Sequence, residues 1–308
     1  MFKNCLIVPI LLFLISPGNA QKQKVWLDTD SGNEMDDLYA IVRLIKEPSV
    51  DLIGMSSAHF NYADILVLEK YNGYFTKDLV TIDESQRVNE EILKAMNRMD
   101  LPHPKGANRQ IGQPYGKDNA RNAPAVEAII RLVKSLPDGE ILDVITIGAI
   151  TNIASALILA PEIKPRIRIY SLGARYHPVT KVWNKSEFNI RNDLNAFDCV
   201  LNMDSLDLTV MPLEAAYPLK FQREETYTRL NEHVEIEKIL EERWKVHNPQ
   251  DKIRVMWDLA LIEAYLKPHL AEIQEVTTPP ENKQRIIKVY TKIDEVRLAE
   301  DFWQVLKK

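Results

Sequence analysis

Apolar residues along this chain recur in two rhythms. Short runs at 25–27, 51–55, 79–82, 141–147, 167–172 and 206–211 are rich in β-branched or other large apolar side chains, each bounded by polar or turn residues. Uninterrupted runs of this kind belong to strands buried on both faces. Between them the spacing becomes helical: residues 38–45 carry apolar side chains at helical intervals, and Val126, Ile129, Ile130 and Val133 repeat at i, i+3, i+4 and i+7. Alternating strand and helix predicts an α/β fold, an open, mainly parallel sheet flanked by helices. Residues 217–252 read differently, as a long, charged helical excursion near the mouth of that sheet. There is no internal repeat and no Gly/Ser linker, so 21–308 reads as a single domain.

The first twenty residues obey another logic. Lys3 precedes an apolar run, 6–15, and small residues stand at Gly18 and Ala20. This is the pattern of a secretory signal peptide cut after Ala20, and the run is too short to span a bilayer. The expectation is an exported protein, periplasmic or secreted, with no membrane contact in its mature form. Cys5 leaves with the leader, and Cys199 alone cannot form an internal disulfide, so the core must supply the stability. Lys+Arg total 39 against 44 Asp+Glu, with no basic block, so a nucleic-acid partner has no support. No GxG occurs, which excludes a Rossmann dinucleotide loop.

In open α/β sheets ligands gather outside the carboxyl ends of the strands. The first predicted strand runs into Asp28-Thr29-Asp30-Ser31-Gly32-Asn33-Glu34-Met35-Asp36-Asp37, a dense acidic turn before a helix. On an extended segment Asp28 and Asp30 share a face. Crowded carboxylates repel, so a cation belongs among them, and an oxygen-only set selects a hard ion, Ca²⁺ or Mg²⁺. The bland alternative for Asp36 and Asp37 is that acids favour a helix N-terminus, and it leaves Asp28 and Asp30 without a role. Glu187-Phe188-Asn189, read as extended, puts Glu187 and Asn189 on one face as a clamp for sugar hydroxyls. Trp257-Asp258 opens an apolar helix at 259–262, where Asp258 taken alone is an N-cap.

Together these segments resemble the inosine-uridine nucleoside hydrolase family, in the family's own order along the chain. The matching pieces are Asp28-Thr29-Asp30…Gly32…Asp36-Asp37, residues 56–61, residues 147–154, Glu187-Phe188-Asn189 and Asp258. The resemblance implies Ca²⁺-dependent hydrolysis of the N-glycosidic bond of ribonucleosides and assembly as a homodimer or homotetramer. It also implies roles. Asp30 would bind Ca²⁺ and take a proton from the attacking water. Asp37 and Asp258 would be further carboxylate ligands, and Ile147 would offer its backbone carbonyl. Asp36, Asn61, Glu187 and Asn189 would hold the ribose hydroxyls, with Asn184 toward the 5′-hydroxyl.

This chain departs from the family's common pattern at two places. Asn33-Glu34-Met35 lengthens the gap between Gly32 and the paired aspartates, so the loop must bulge. Trp257 stands where many members carry a proton-donating histidine. A purine-preferring branch has tryptophan there, stacking on the base, and an aromatic residue between the clamp residues, as Phe188 is here. That points to purine nucleosides, with His59, close to Asn61, as the one histidine to examine as a substitute acid. Two rival readings stay open: a haloacid-dehalogenase-like phosphatase, which also ends a strand in Asp-x-Asp, and a non-catalytic exported nucleoside- or sugar-binding protein that keeps the same pocket.

Overall fold

The computed structural model describes residues 22–61 and 79–308, and the predicted leader, 1–20, lies outside them. A seven-stranded sheet forms the centre, built from β1 (Gln23–Thr29), β2 (Val50–Ser57), β3 (Leu142–Thr146), β4 (Ile167–Leu172), β7 (Asp207–Met211), β10 (Ala271–Thr277) and β11 (Ile286–Ile293). Their order is β10-β11-β7-β4-β3-β1-β2, all neighbours parallel except the antiparallel edge pair β10–β11. Two small hairpins sit outside it: β5 (Arg175–His177) with β6 (Val182–Asn184), and β8 (Lys220–Gln222) with β9 (Ile253–Val255).

Helices cover both faces of the sheet's centre, which is why its inner strands are largely apolar. In β1, Val25 and Leu27 join a core with helices Asp36–Ile45, Glu235–His247, Trp257–Leu266 and Glu295–Leu306. Trp26, pointing the other way, joins a second core with Pro124–Ser135, Thr151–Leu159 and Leu194–Asn202, where Cys199 is buried. β1 pairs with β2 on one side and β3 on the other, so the chain's winding reverses at β1. The carboxyl ends of β1 and β3 therefore border the crevice where such sheets bind ligands.

Two expectations need correction. Residues 79–82 are not a strand: Thr81 and Ile82 begin the helix Thr81–Ala95 and are buried. A four-residue apolar run cannot be told from one buried turn of helix by its pattern. The excursion at 217–252 is not purely helical either, since β8 interrupts it before helices Arg223–Arg229 and Glu235–His247. The β10–β11 pair and the helix Glu295–Leu306 had not been anticipated.

Candidate active site

A cavity of about 340 Å³ opens at the carboxyl ends of the parallel strands. Its walls come from the turn after β1 (Asp30, Asn33, Glu34), the first turn of Asp36–Ile45 (Asp36, Asp37), Ile147 after β3, and Leu172 closing β4. Ser186, Glu187, Phe188 and Asn189 form another wall, and Trp257 and Asp258 come from the start of Trp257–Leu266. Far-separated acids thus meet in one place. One carboxylate oxygen each from Asp36, Asp37 and Asp258 lies within 4.8 Å of the other two.

Two helices pack side by side to make this meeting. Asp36–Ile45 and Trp257–Leu266 share the core around β1, and both start at the sheet's carboxyl end, so their first turns stand together. The Asp258 backbone N–H donates to Asp36 Oδ2 at 3.1 Å, and Thr29 Oγ1 donates to Asp37 Oδ1 at 2.7 Å. At the far end of the pair, the buried Arg43 guanidinium sits 2.7 Å from Glu263 Oε1. The helices are therefore tied at both ends.

The turn after β1 is braced. Asn33 N donates to Asp30 O at 2.8 Å, closing a turn, and Met35 is buried in the core beneath it. Arg243, from the helical excursion, places Nη2 2.8 Å from Gly32 O, 3.3 Å from Ser31 O and 3.4 Å from Glu34 O. Arg254 pairs with the Glu34 carboxylate. Both arginines escaped the sequence reading; no local pattern marks them, because they act some 210 and 220 positions away. Space beside Asp30 is also reserved. A Cβ on Gly148 would lie 2.9 Å from Asp30 N and 3.0 Å from its Cβ, so no side chain fits there.

Burial of so many acids has an electrostatic consequence. Asp30, Asp36, Asp37 and Asp258 are all pushed above the ordinary carboxylate range, first by burial and then by neighbouring charge: that of the other aspartates for Asp30, Asp37 and Asp258, and that of Glu34 for Asp36. Asp36 rises to about 6, Asp37 to about 8, and Asp28 to about 7 by burial alone. Buried carboxylates pay for desolvation unless a positive charge compensates it. Asp30 Oδ2 is buried and takes no hydrogen bond from the described residues. An oxygen-only donor set of this kind, with an orphaned oxygen aimed among mutually repelling acids, fits a hard divalent cation.

The remaining predicted site residues divide into two groups. Ile147 follows β3, lines the cavity, and its carbonyl accepts from Asn189 Nδ2 at 3.1 Å. Glu187 and Asn189 line it too, but not on an extended segment: Glu187 caps the short helix Phe188–Asn192, accepting from the backbone of Asn189 and Ile190 at 3.1 Å each. Helical winding, not strand alternation, sets their directions. Burial pushes Glu187 up to about 7. Gly173, at φ +153°, lets the backbone pass close by, since a Cβ there would lie 3.1 Å from Glu187 Oε2. Trp257 lines the cavity with its ring 5.9 Å from that of Tyr217.

Asn61 and Asn184 are not among the lining residues. The Asn61 side chain binds the Asn108 carbonyl at 2.7 Å and the Thr81 hydroxyl, and Asn184 Oδ1 accepts from Ser186 N at 2.7 Å. His59 is no substitute acid. It is fully buried against Thr151 Oγ1 at 2.9 Å, and burial lowers it to about 4, so it is neutral near pH 7. Asp28 also stands behind the cavity, held by Ser56 Oγ and by Asn152 Nδ2 at 2.8 Å, where it ties β1 to β2 and to the helix Thr151–Leu159.

The family model described as inosine-uridine preferring nucleoside hydrolase matches residues 73–300. The acidic turn at 28–37 precedes the matched residues, and it is the fold that joins the two. A pyrimidine-specific ribonucleoside hydrolase, RihB of Escherichia coli (strain SE11), is 29% identical over 197 residues, 61% of this chain and 61% of that protein. This chain spans about three-fifths of the length of the curated relatives it matches. Among solved structures, an inosine-guanosine nucleoside hydrolase superposes with a TM-score of 0.68 at 16% identity, covering 93% of this chain and 99% of that one. A purine-preferring ribonucleoside hydrolase from Gardnerella vaginalis gives 0.64 at 19% identity, covering 92% and 98%. The mainly parallel, helix-flanked sheet is the fold of these neighbours.

Proposed function

Because this chain belongs to the inosine-uridine preferring nucleoside hydrolase family, we propose that it hydrolyses the N-glycosidic bond of ribonucleosides, releasing free base and ribose, with Ca²⁺ as cofactor. The observation that carries this is the convergence of Asp30, Asp36, Asp37 and Asp258 on one side of a cavity whose other wall presents Glu187 and Asn189. That is a cation site next to a polyol clamp. Asp30, Asp37, Asp258 and the Ile147 carbonyl would hold the ion, with Asp36 close enough to serve as ligand or as ribose clamp. A bound Ca²⁺ supplies positive charge that orients the sugar hydroxyls and acidifies a water.

The chain's own groups do the rest. Water adds at C1′ as the C1′–N bond breaks, and the bond's electron pair leaves with the base, which takes up a proton. Asp30, with an oxygen free of partners among the described residues, accepts the proton that the water gives up. A positioned base of this kind contributes roughly 10²- to 10⁴-fold. Positive charge grows on the ribose in the transition state, and the ring of fixed carboxylates stabilises it without reorganising. Among the described residues lining the cavity there is no histidine to protonate the leaving base. Trp257 stacks instead: an indole face favours a protonated purine by about 0.5–2 kcal/mol. Similar proteins carry both preferences in their names, pyrimidine-specific and purine-preferring, and Trp257 tilts our reading toward purines.

Inosine, adenosine, guanosine, uridine and cytidine, each assayed with Ca²⁺ and with chelator, test the reading. We expect base release from purines first, abolished by chelation and restored by Ca²⁺. Binding without release would leave a nucleoside-binding protein, and release untouched by chelator would remove the metal. Trp257→Ala should reduce purine turnover more than pyrimidine turnover; equal losses would end the stacking role. Export after loss of 1–20 and assembly as a homodimer or homotetramer belong to the same reading, checked by N-terminal sequencing of the mature protein and by sedimentation.

A further inference from the structure

We infer that His59, Thr151 and Asp193 form a positioning relay for the sugar clamp, holding Glu187 and Asn189 in register with the Ile147 carbonyl; the inference rests on the ribosyl-hydrolase reading above. The clamp stands on the helix Phe188–Asn192, whose five residues are too few to hold a fixed course by themselves. Its placement is therefore set at its two ends. At the leading end Ala174 N donates to Glu187 Oε2 at 3.3 Å. At the trailing end stands Asp193, fully buried and behind the cavity wall.

The Asp193 carboxylate gathers donors from three parts of the chain. Thr151 Oγ1 donates to Oδ2 at 2.6 Å, Ile111 N to Oδ2 at 2.8 Å, and Ala196 N to Oδ1 at 3.0 Å. Two rungs thereby join the clamp to the segment that follows β3. Asn189 Nδ2 donates to Ile147 O at 3.1 Å, and four positions further along both segments Thr151 donates to Asp193. Ile147 is fixed to β1, its N–H donating to Asp28 O at 2.9 Å. Loss of the second rung therefore releases the clamp and leaves the Ile147 carbonyl where it is.

Donor and acceptor counting brings in His59. A hydroxyl has one proton, and Thr151 gives its own to a carboxylate that can only accept. Its lone pairs are what remains for His59 Nε2, 2.9 Å away, so His59 is the donor there and carries its proton on Nε2. Nδ1 is then the bare nitrogen, and it is buried without a hydrogen bond from the described residues. The relay runs one way, from His59 at the end of β2 through Thr151 at the start of the helix Thr151–Leu159 to Asp193. None of the three lines the cavity. They act on the sugar only through the clamp, as positioning residues.

The full chain with Ca²⁺ should be compared with Thr151→Val, which removes the hydroxyl at nearly constant shape, and Thr151→Ser, which keeps it. Ribose is titrated calorimetrically, kcat and KM are measured on inosine and uridine, and Tm and circular dichroism establish that each variant is folded. We expect Thr151→Val to weaken ribose binding and raise both KM values by about tenfold, the equivalent of one charge-assisted hydrogen bond, with Ca²⁺ affinity unchanged. Thr151→Ser should restore the parent values. His59→Leu should repeat the loss and His59→Gln, which offers an amide N–H in place of Nε2–H, should recover it; this pair gives the same readout if Thr151→Val does not fold. A merely structural hydroxyl would lower Tm and leave KM alone. Unchanged ribose affinity and KM in the folded variants would overturn the relay, as would a Ca²⁺ affinity that falls in step with ribose affinity. The two layers separate. Ribose binding that depends on the Thr151 hydroxyl, without base release from any nucleoside, removes the hydrolase reading and leaves the relay. Base release with a KM indifferent to Thr151→Val and His59→Leu keeps the hydrolase reading and removes the relay.

Discussion

Replacing Arg43 with methionine tests whether the acidic site is held together from its far end. The Arg43 side chain is wholly buried and contacts three carboxylates: Glu263 at 2.7 Å, Glu47 at 2.7 Å and Asp301 at 2.6 Å. Methionine keeps most of the stem's volume and removes the charge. Asp301, 23% exposed, can turn to water, but Glu263 is at 0% and cannot. Removing one partner of a buried pair costs about 3–5 kcal/mol, because the other is left uncompensated. For a chain of this size, at about 2.1 cal/mol/K of unfolding entropy per residue, that is a loss in Tm of roughly 5–8 °C. Burial already drives Glu263 upward and the Arg43 charge draws it down, so the variant's Glu263 must hold its proton to higher pH than in the parent. A carboxyl raised in the fold stabilises at low pH and costs stability as pH rises, so the penalty should be larger at pH 8 than at pH 5. Urea unfolding of Arg43→Met, Glu263→Gln and the double variant at both pH values gives the coupling directly. The double variant should lose much less than the two singles together. A single-variant loss below about 1 kcal/mol, or strict additivity, would refute the argument. Calcium titration of the same variants asks whether slackening this end loosens Asp36 and Asp37 relative to Asp258.

Three further outcomes follow from the site itself. In chelator, Asp36, Asp28 and Asp37 keep protons up to about 6, 7 and 8 that an unfolded chain has already released, so stability should fall as pH rises from about 5 to 8. Added Ca²⁺ replaces the protons on Asp36 and Asp37, so its stabilising shift in Tm should grow with pH; a shift independent of pH would show that these acids do not receive the ion. Arg243→Met should weaken Ca²⁺ binding by about 10- to 100-fold in calorimetry, because the loop at 31–34 loses its buried charged donor, a bond worth roughly 1.5–3 kcal/mol. Unchanged affinity would show that the loop holds its shape unaided. Gly148→Ala should cost about 1–3 kcal/mol in urea unfolding and lower kcat, since its methyl group must displace Asp30; a neutral substitution would show that Asp30 has room to move.

What the sequence revealed and what it hid follow the range of the interactions involved. The run at 167–172 coincides with β4 because Ile167, Ile169 and Leu172 are buried and Tyr170 half-buried, so the strand's apolar residues mark it in the sequence. The acidic turn was legible for the same local reason, since its residues adjoin in sequence. Residues 79–82 failed because strand and buried helix share a pattern over four positions, and the long helix that decides between them lies downstream. Glu187 and Asn189 were placed on one face by strand alternation; they do share a wall, but through a helical turn that Glu187 itself caps. β10 was missed because it is an edge strand with Glu272, Ile273, Gln274 and Glu275 largely exposed, so it carries little of a core's signature. The arginines that shape the site are the least legible of all. Arg243 and Arg254 look like members of a solvated charge run, and only the fold carries the excursion across the mouth of the sheet to the turn after β1. The lengthened motif is therefore not an isolated irregularity of one loop. Its extra residues bring Met35 into the core and offer the carbonyls of Gly32 and Glu34 to a guanidinium, so the loop and the excursion form one structural unit. Shortening the loop by removing Asn33 and Glu34 should then destabilise the helix Glu235–His247 as well as the site, which hydrogen exchange on that helix would register.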